Sequence, residues 1–216
     1  MLEKMNEFFN NRINGYEEHQ LNAIECAQEF YPYTAACLPM WDKAEVLDLG
    51  CGTGLELGFY FENNPTAKII GIDLAEDMLK VLNDKFFNKE LTTICGSYFD
   101  IPFGKECYDA IVSVESLHHF TKEQKCILYK KAYQALKCGG YLILTDYFAE
   151  TDEQECFYRQ ELIRLKSEQG VDDDEFYHYD TPLTKEHELQ VLKKAGFSSV
   201  KILAEWGATA TIKAIK

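Results

Sequence analysis

The stretch Val46–Gly58, "VLDLGCGTGLELG", constrains the fold more than any other part of the chain. A short apolar run ends in glycines at 50, 52 and 54, and a helix-like pattern follows. Glycines in a strand-to-helix turn permit positive φ and leave room for a ligand against the backbone at the helix N-terminus. A nucleotide-like ligand is the natural occupant. Dinucleotide-binding folds place G-x-G-x-x-G at such a turn, but here the sixth position is Leu55 and Asp48 precedes the glycines. An acidic residue inside the turn suits a ligand carrying an ammonium group rather than a pyrophosphate.

Around this turn, short apolar runs alternate with helical patterns, which predicts a parallel sheet covered by helices on both faces. The expected strands are Val46–Leu49, Lys68–Ile72, Leu91–Ile94, Ala110–Val114 and Tyr141–Thr145. Two capping-box patterns, "TKEQ" at Thr121–Gln124 and "TDEQ" at Thr151–Gln154, mark helix starts, the second opening a helix over Asp152–Gln169. A charged, aromatic stretch, "GVDDDEFYHYDTPLT", then reads as a loop or lid. A helix near Thr184–Ala195 stops at Gly196, and Val200–Ala204 and Ala208–Ile215 form an expected antiparallel hairpin around Trp206-Gly207. The chain reads as a single domain over residues 1–216, with a helical extension over 1–40 and a helix plus lid over 150–184.

Composition narrows the function. The 216 residues are 46% hydrophobic, enough for one sizeable core. Lys and Arg total 22 against 36 Asp and Glu, a net charge of -14 that repels phosphate backbones and argues against a nucleic-acid partner. No apolar run of membrane-spanning length and no signal-peptide core is evident, so no membrane partner and a cytoplasmic location are expected. The eight cysteines contain no C-x-x-C pair, so they read as reduced thiols and no metal site is expected.

Nineteen residues past Gly54, "IIGID" ends in Asp73, where a carboxylate at the end of a second strand meets both hydroxyls of a ribose. A helix N-cap is the competing role, since "DLAE" follows. Taken together, "VLDLGCGTG", "IIGIDLAEDML", "GSYFDIPF", "YDAIVSVESLHHF" and "LKCGGYLILTDY" resemble the successive motifs of the class I (Rossmann-like) S-adenosylmethionine (SAM) dependent methyltransferases. The resemblance is tight over 44–147 and loose beyond. It implies a three-layer α/β sandwich with a seven-stranded, mostly parallel sheet of order 3-2-1-4-5-7-6, closed by the C-terminal antiparallel hairpin.

It also implies a set of cofactor residues. Asp48 lies near the methionyl amine, and Gly50, Cys51 and Gly52 lie under the cofactor. Asp73 holds the ribose, and Leu74 and Met78 flank the adenine. Many relatives carry "GDA" where this chain has "GSY", which leaves the Ser97 hydroxyl and the Tyr98 backbone N–H for the adenine ring. Val114 offers its carbonyl to the amine. Glu115, His118 and His119 leave the fourth strand facing the transferred methyl, and Tyr147 ends the fifth strand. Adjacent histidines point in opposite directions, so one of the pair is expected to be structural. Tyr16 is expected to touch the carboxylate end of the cofactor from the N-terminal segment.

The expected reaction is methyl transfer from SAM, leaving S-adenosylhomocysteine, to a small-molecule acceptor, with His118, His119 or Tyr147 taking a proton where the acceptor is oxygen or nitrogen. Tyr177, His178 and Tyr179, in "EFYHYD", are the expected acceptor contacts of the lid. The rival readings are a SAM-binding protein without chemistry and a methyltransferase acting on protein or RNA. A monomer or homodimer is expected.

Overall fold

The apolar run before the glycine turn is a strand, β1 (Glu45–Leu49), buried at four of its five positions. The other strands are β2 (Lys68–Asp73), β3 (Glu90–Cys95), β4 (Tyr108–Val114), β5 (Leu136–Tyr147), β6 (Ser199–Trp206) and β7 (Thr209–Ile215). They form one sheet of order β3-β2-β1-β4-β5-β7-β6. Pairing is parallel from β3 across to β5, and β7 runs antiparallel to both β5 and β6. The architecture is the one the sequence implied. The computed structural model describes residues 1–171 and 175–216, and the acidic triplet Asp172–Asp174 of the expected lid lies outside the described residues.

Side-chain alternation along the strands feeds two cores. Leu47, Ile111 and Leu142 enter one cluster, while their neighbours Val46, Ala110 and Ile143 enter the other. A period of two therefore buries both faces, and helices must cover each. These are α4 (Leu55–Asn63), α5 (Glu76–Lys85), α6 (Lys122–Ala135), α7 (Asp152–Gln169) and α8 (Lys185–Ala195), after an N-terminal set α1 (Met5–Asn11), α2 (Tyr16–Ala23) and α3 (Ala27–Ala36). Both expected caps form. Thr121 and Gln124 make a reciprocal box, whereas Gln154 returns its side chain to the Glu150 N–H instead of that of the cap residue Thr151.

Strand β5 starts at Leu136, five residues before the expected Tyr141. The glycine pair Gly139-Gly140 does not stop the strand. It makes a bulge: Gly139 has φ +76, and the register with β4 shifts between Tyr108 and Ala110. The N-terminal segment is tied to the lid, with Met5 N–H donating to Phe176 O at 2.9 Å and His178 N–H to Glu3 O at 3.0 Å. These ties place α1 beside the carboxyl ends of the strands, where open α/β sheets bind their ligands.

Candidate active site

The glycine turn is built for two kinds of neighbour. Gly50, Gly52 and Gly54 all have positive φ, at +76, +48 and +71. A Cβ on Gly50 would lie 2.1 Å from the Ser116 hydroxyl, and one on Gly54 would lie 2.4 Å from Leu82. Only Gly52 faces space, its nearest neighbour being the Tyr16 hydroxyl at 3.9 Å. The expectation that the whole turn leaves room for a ligand therefore narrows to Gly52. Protein side chains occupy the room at the other two.

Asp73, at the end of β2, receives Gly52 N–H on one oxygen and Ala75 N–H on the other, each at 2.8 Å. It so joins the glycine turn to the start of α5. Both competing roles of the sequence are met at once: the carboxylate organises the helix entrance, and its spare lone pairs remain for ligand hydroxyls. Asp48 is fully buried, and neither of its carboxylate oxygens has a hydrogen bond in the strict sense. Burial and the adjacent Glu56 push its pKa well above the usual carboxylate range. A buried carboxylate pair with too few partners beneath a ligand turn fits an ammonium-bearing ligand.

A small cavity of about 50 Å³ opens over this turn. Its walls include Gly50, Gly52, Asp73, Leu74 and Met78 on one side, with Tyr98, Val114 and Glu115 on the other. Met5, Phe9 and Tyr16 close it from the N-terminal helices. Ligand sites for drug-sized molecules run to about 300 Å³ and more, so those three side chains must shift to admit a nucleoside. Three expected contacts lie elsewhere. Asp48 sits below the cavity rather than in its wall, Cys51 packs its sulfur against Gly71, and the Ser97 hydroxyl accepts from Phe99 N–H in a local turn. Ser116, which no sequence pattern singled out, takes a place in the wall and contacts the Tyr98 hydroxyl at 3.3 Å.

Beside it lies a cavity of about 870 Å³. On one side its polar wall includes Glu115, His118, His119, Tyr147, His178 and Asp180, while Arg12, His19 and Glu25 line it elsewhere, and its apolar wall includes Phe8, Phe9 and Trp206. Asp146, at the end of β5, fixes this cluster: its carboxylate accepts from Leu117 N–H at 3.0 Å and contacts His118 Nδ1 at 2.5 Å. Burial opposes the His118 cation, but Asp146 in contact, then Asp180 and Glu115, outweigh it and lift its pKa to about 9. Burial and the His118 charge hold His119 below the ordinary histidine value. Burial also opposes Asp180 ionisation, yet His119 and His118 keep that carboxyl well below its usual range. Glu115, pushed up to about 8 by burial and Asp146, sits at φ +48, a strained conformation for a residue with a Cβ.

The lid corrects the sequence reading. Of the three expected acceptor contacts, only His178 lines the cavity, stacked on Phe8 with ring centres 3.4 Å apart. Tyr177 bridges to Lys4 and lies under the Lys166 ammonium, and Tyr179 offers its backbone oxygen to His119. The segment is extended, so side chains alternate. Phe176 packs against Phe99 and Phe120, and His178 and Asp180 follow it on that rhythm, leaving the two tyrosines on the other side. Asp146 was missed, and Asp180 was read only as the end of the lid segment, because aspartates near turns are common and nothing in their local sequence marks them. His118, His119 and Tyr147 stand together, with the Tyr147 ring tilted against His118 at 4.6 Å between ring centres.

Comparison with known proteins agrees with this geometry. A family model described as a methyltransferase domain matches residues 46–140. The chain is 31% identical over 126 residues to erythromycin 3''-O-methyltransferase of Saccharopolyspora erythraea, covering 56% of this chain and 40% of that protein. It is 30% identical over 179 residues to carboxy-S-adenosyl-L-methionine synthase of Trichodesmium erythraeum, covering 74% of this chain and 68% of that one. The crystal structure of a SAM-dependent methyltransferase from Thermotoga maritima superposes with a TM-score of 0.67 at 22% identity, covering 98% of this chain and 99% of that chain. Less than half the length of the erythromycin enzyme is spanned.

Proposed function

The chain belongs to the class I SAM-dependent methyltransferases, and we propose that it methylates a small-molecule acceptor held in the larger cavity. One observation carries the proposal: the small cavity over the glycine turn and the large one beside it share a wall made of Phe9, Tyr16, Glu115 and His119. That wall is where a methyl group would pass from one ligand to the other. When bound, SAM supplies a methyl group activated by a positively charged sulfur, and S-adenosylhomocysteine is left.

The protein's own part is placement and dryness. Asp73 holds the ribose, Leu74 and Met78 take the adenine, and Asp48 with Glu56 answers the methionyl ammonium from below. Phe9 and Tyr16, closing over the small cavity, keep water from the reacting line. On the acceptor side, Glu115 and His119 face the nucleophile, and His118, Tyr147 and Asp180 make the polar floor that loosens its proton. The net charge of -14 disfavours an RNA acceptor, and a cavity of about 870 Å³ is of a size for a small molecule.

The test is to incubate the full chain with SAM and a metabolite extract freed of macromolecules, following S-adenosylhomocysteine release. Release that depends on the extract supports the proposal. Release that requires the macromolecular fraction, or no release from either with SAM binding intact, overturns it.

A further inference from the structure

We propose that His118, His119 and Asp180 bind a divalent transition-metal ion, open toward the larger cavity, with Glu115 beside it. Only the ion's role in catalysis rests on the function proposed above; its binding does not. The ligating atoms of the three residues all lie within 4.8 Å of one another. His119 Nδ1 is 3.1 Å and His118 Nε2 3.5 Å from the same oxygen, Asp180 Oδ1. That oxygen is buried, and neither contact has the alignment of a hydrogen bond. The three donors converge on one point as loosely aligned ion pairs, with His119 Nδ1 also 3.4 Å from the Tyr179 backbone oxygen.

Ordinary ion pairing leaves two things unexplained. Glu115 Oε1 is also buried without a hydrogen bond, and each such acceptor costs free energy unless something answers it. Glu115 reaches this place through a backbone conformation disfavoured for any residue with a Cβ. A cation among these groups accounts for both. Two imidazoles and a carboxylate are a donor set for zinc, cobalt, manganese or iron rather than for magnesium or calcium.

The surroundings have the form of an outer ligand shell. Asp146 holds His118 through Nδ1, leaving Nε2 toward Asp180, and is itself held by the backbone N–H groups of Leu117 and Tyr147. The site departs from the sequence expectation of no metal, which rested on cysteine spacing. Here the ligands come from the loops after β4 and before α8, some sixty residues apart.

Three protein ligands leave coordination positions open, as at catalytic rather than structural sites. The acceptor class that follows carries a hydroxyl. Bound to the ion, the hydroxyl would lose its proton to Glu115. The acceptor oxygen's lone pair then forms the new O–C bond as the C–S bond breaks, its electrons staying on sulfur.

Cobalt(II) is the probe, titrated into the full chain after chelator treatment, since its visible absorption reports nitrogen and oxygen ligands and a near-ultraviolet band reports thiolate. We expect one ion per chain with visible bands and no thiolate band. His119→Gln and Asp180→Asn should each weaken binding at least tenfold, Asp146→Asn by about 10- to 100-fold, and His187→Ala, in a separate surface group of carboxylates and histidine, not at all. Thermal melting checks the folding of every variant, and SAM titration of Asp180→Asn, whose side chain lies outside the small cavity, should change little. No stoichiometric uptake, a thiolate band in place of the visible bands, or uptake indifferent to His119→Gln and Asp180→Asn in folded variants would each overturn the site. Because SAM binding is read separately, loss of the metal site leaves the methyltransferase reading standing, and failure of SAM binding alone leaves the metal site standing.

Discussion

The two sides of the reaction line are built by different means. On the cofactor side, Asp48, the glycine turn and Asp73 come from one strand-turn-helix-strand unit, and backbone N–H groups do much of the positioning. On the proposed acceptor side, Glu115–His119 come from the segment after β4, Asp146 and Tyr147 from the end of β5, and His178 and Asp180 from the lid, while the N-terminal helices supply part of the apolar wall. A site made of backbone tolerates few changes at its glycines. One assembled from side chains can change its chemistry one residue at a time while the cofactor side stays intact.

The sharpest way to break this comparison lies within the glycine turn. Gly50→Ala should destabilise the protein by roughly 3 kcal/mol through overlap with Ser116 added to positive-φ strain. Gly52→Ala, facing space, should cost about 1 kcal/mol. Urea denaturation of both variants measures the difference, and Ser116→Gly should restore part of the loss in the Gly50→Ala background. Equal costs at the two positions would mean that crowding by Ser116 is not what requires Gly50.

Next in size is Asp73→Ala. Losing a carboxylate that binds two backbone N–H groups, and in the proposed function the ribose, should weaken SAM by about 1.5–3 kcal/mol in calorimetry. Cobalt uptake on the acceptor side should stay unchanged. Coupled loss of both would show that the two sides are not independent.

A pH series sharpens the cofactor side further. Because burial and Glu56 raise the Asp48 pKa, lowering pH through that raised value neutralises the carboxyl, and the ammonium of SAM loses its partner. SAM affinity should therefore fall with acidification, by at most about tenfold per pH unit for one proton. In Glu56→Gln the like charge is gone, the Asp48 pKa drops, and the fall should move to lower pH. An affinity profile that is flat, or unmoved by Glu56→Gln, would remove the pair from the ammonium site.

The smallest expected effects lie in the lid. His178→Ala should lower acceptor turnover severalfold and leave SAM affinity within about 0.5 kcal/mol, the range of remote substitutions. Tyr177→Ala and Tyr179→Ala should matter less for turnover than His178→Ala. The reverse ranking would place the tyrosine face of the lid in the cavity.

The same contrast explains what could be read from sequence. The cofactor side was legible because its turn, its spacing to Asp73 and its strands are consecutive, and α7 covers Asp152–Gln169 as its cap and periodicity predict. Strand β5 was read short because two glycines that form a bulge look like a stop. Ser116 was invisible because its effect on Gly50 is a contact between loops 66 residues apart in sequence. Asp146 and Asp180 gain meaning only once β5 and the lid reach the same cluster. Tyr177 and Tyr179 were chosen for their chemistry, whereas the alternation of an extended chain decided which side chains face the cavity.

The central claim is that the two cavities meet at the methyl group, and a crystal structure of the full chain with S-adenosylhomocysteine tests it most directly. The ribose is expected on Asp73, the N-terminal helices shifted at Met5, Phe9 and Tyr16, and the sulfur directed at the wall of Glu115 and His119 that opens into the larger cavity. A sulfur facing away from that wall, or a nucleoside bound without Asp73, would contradict it.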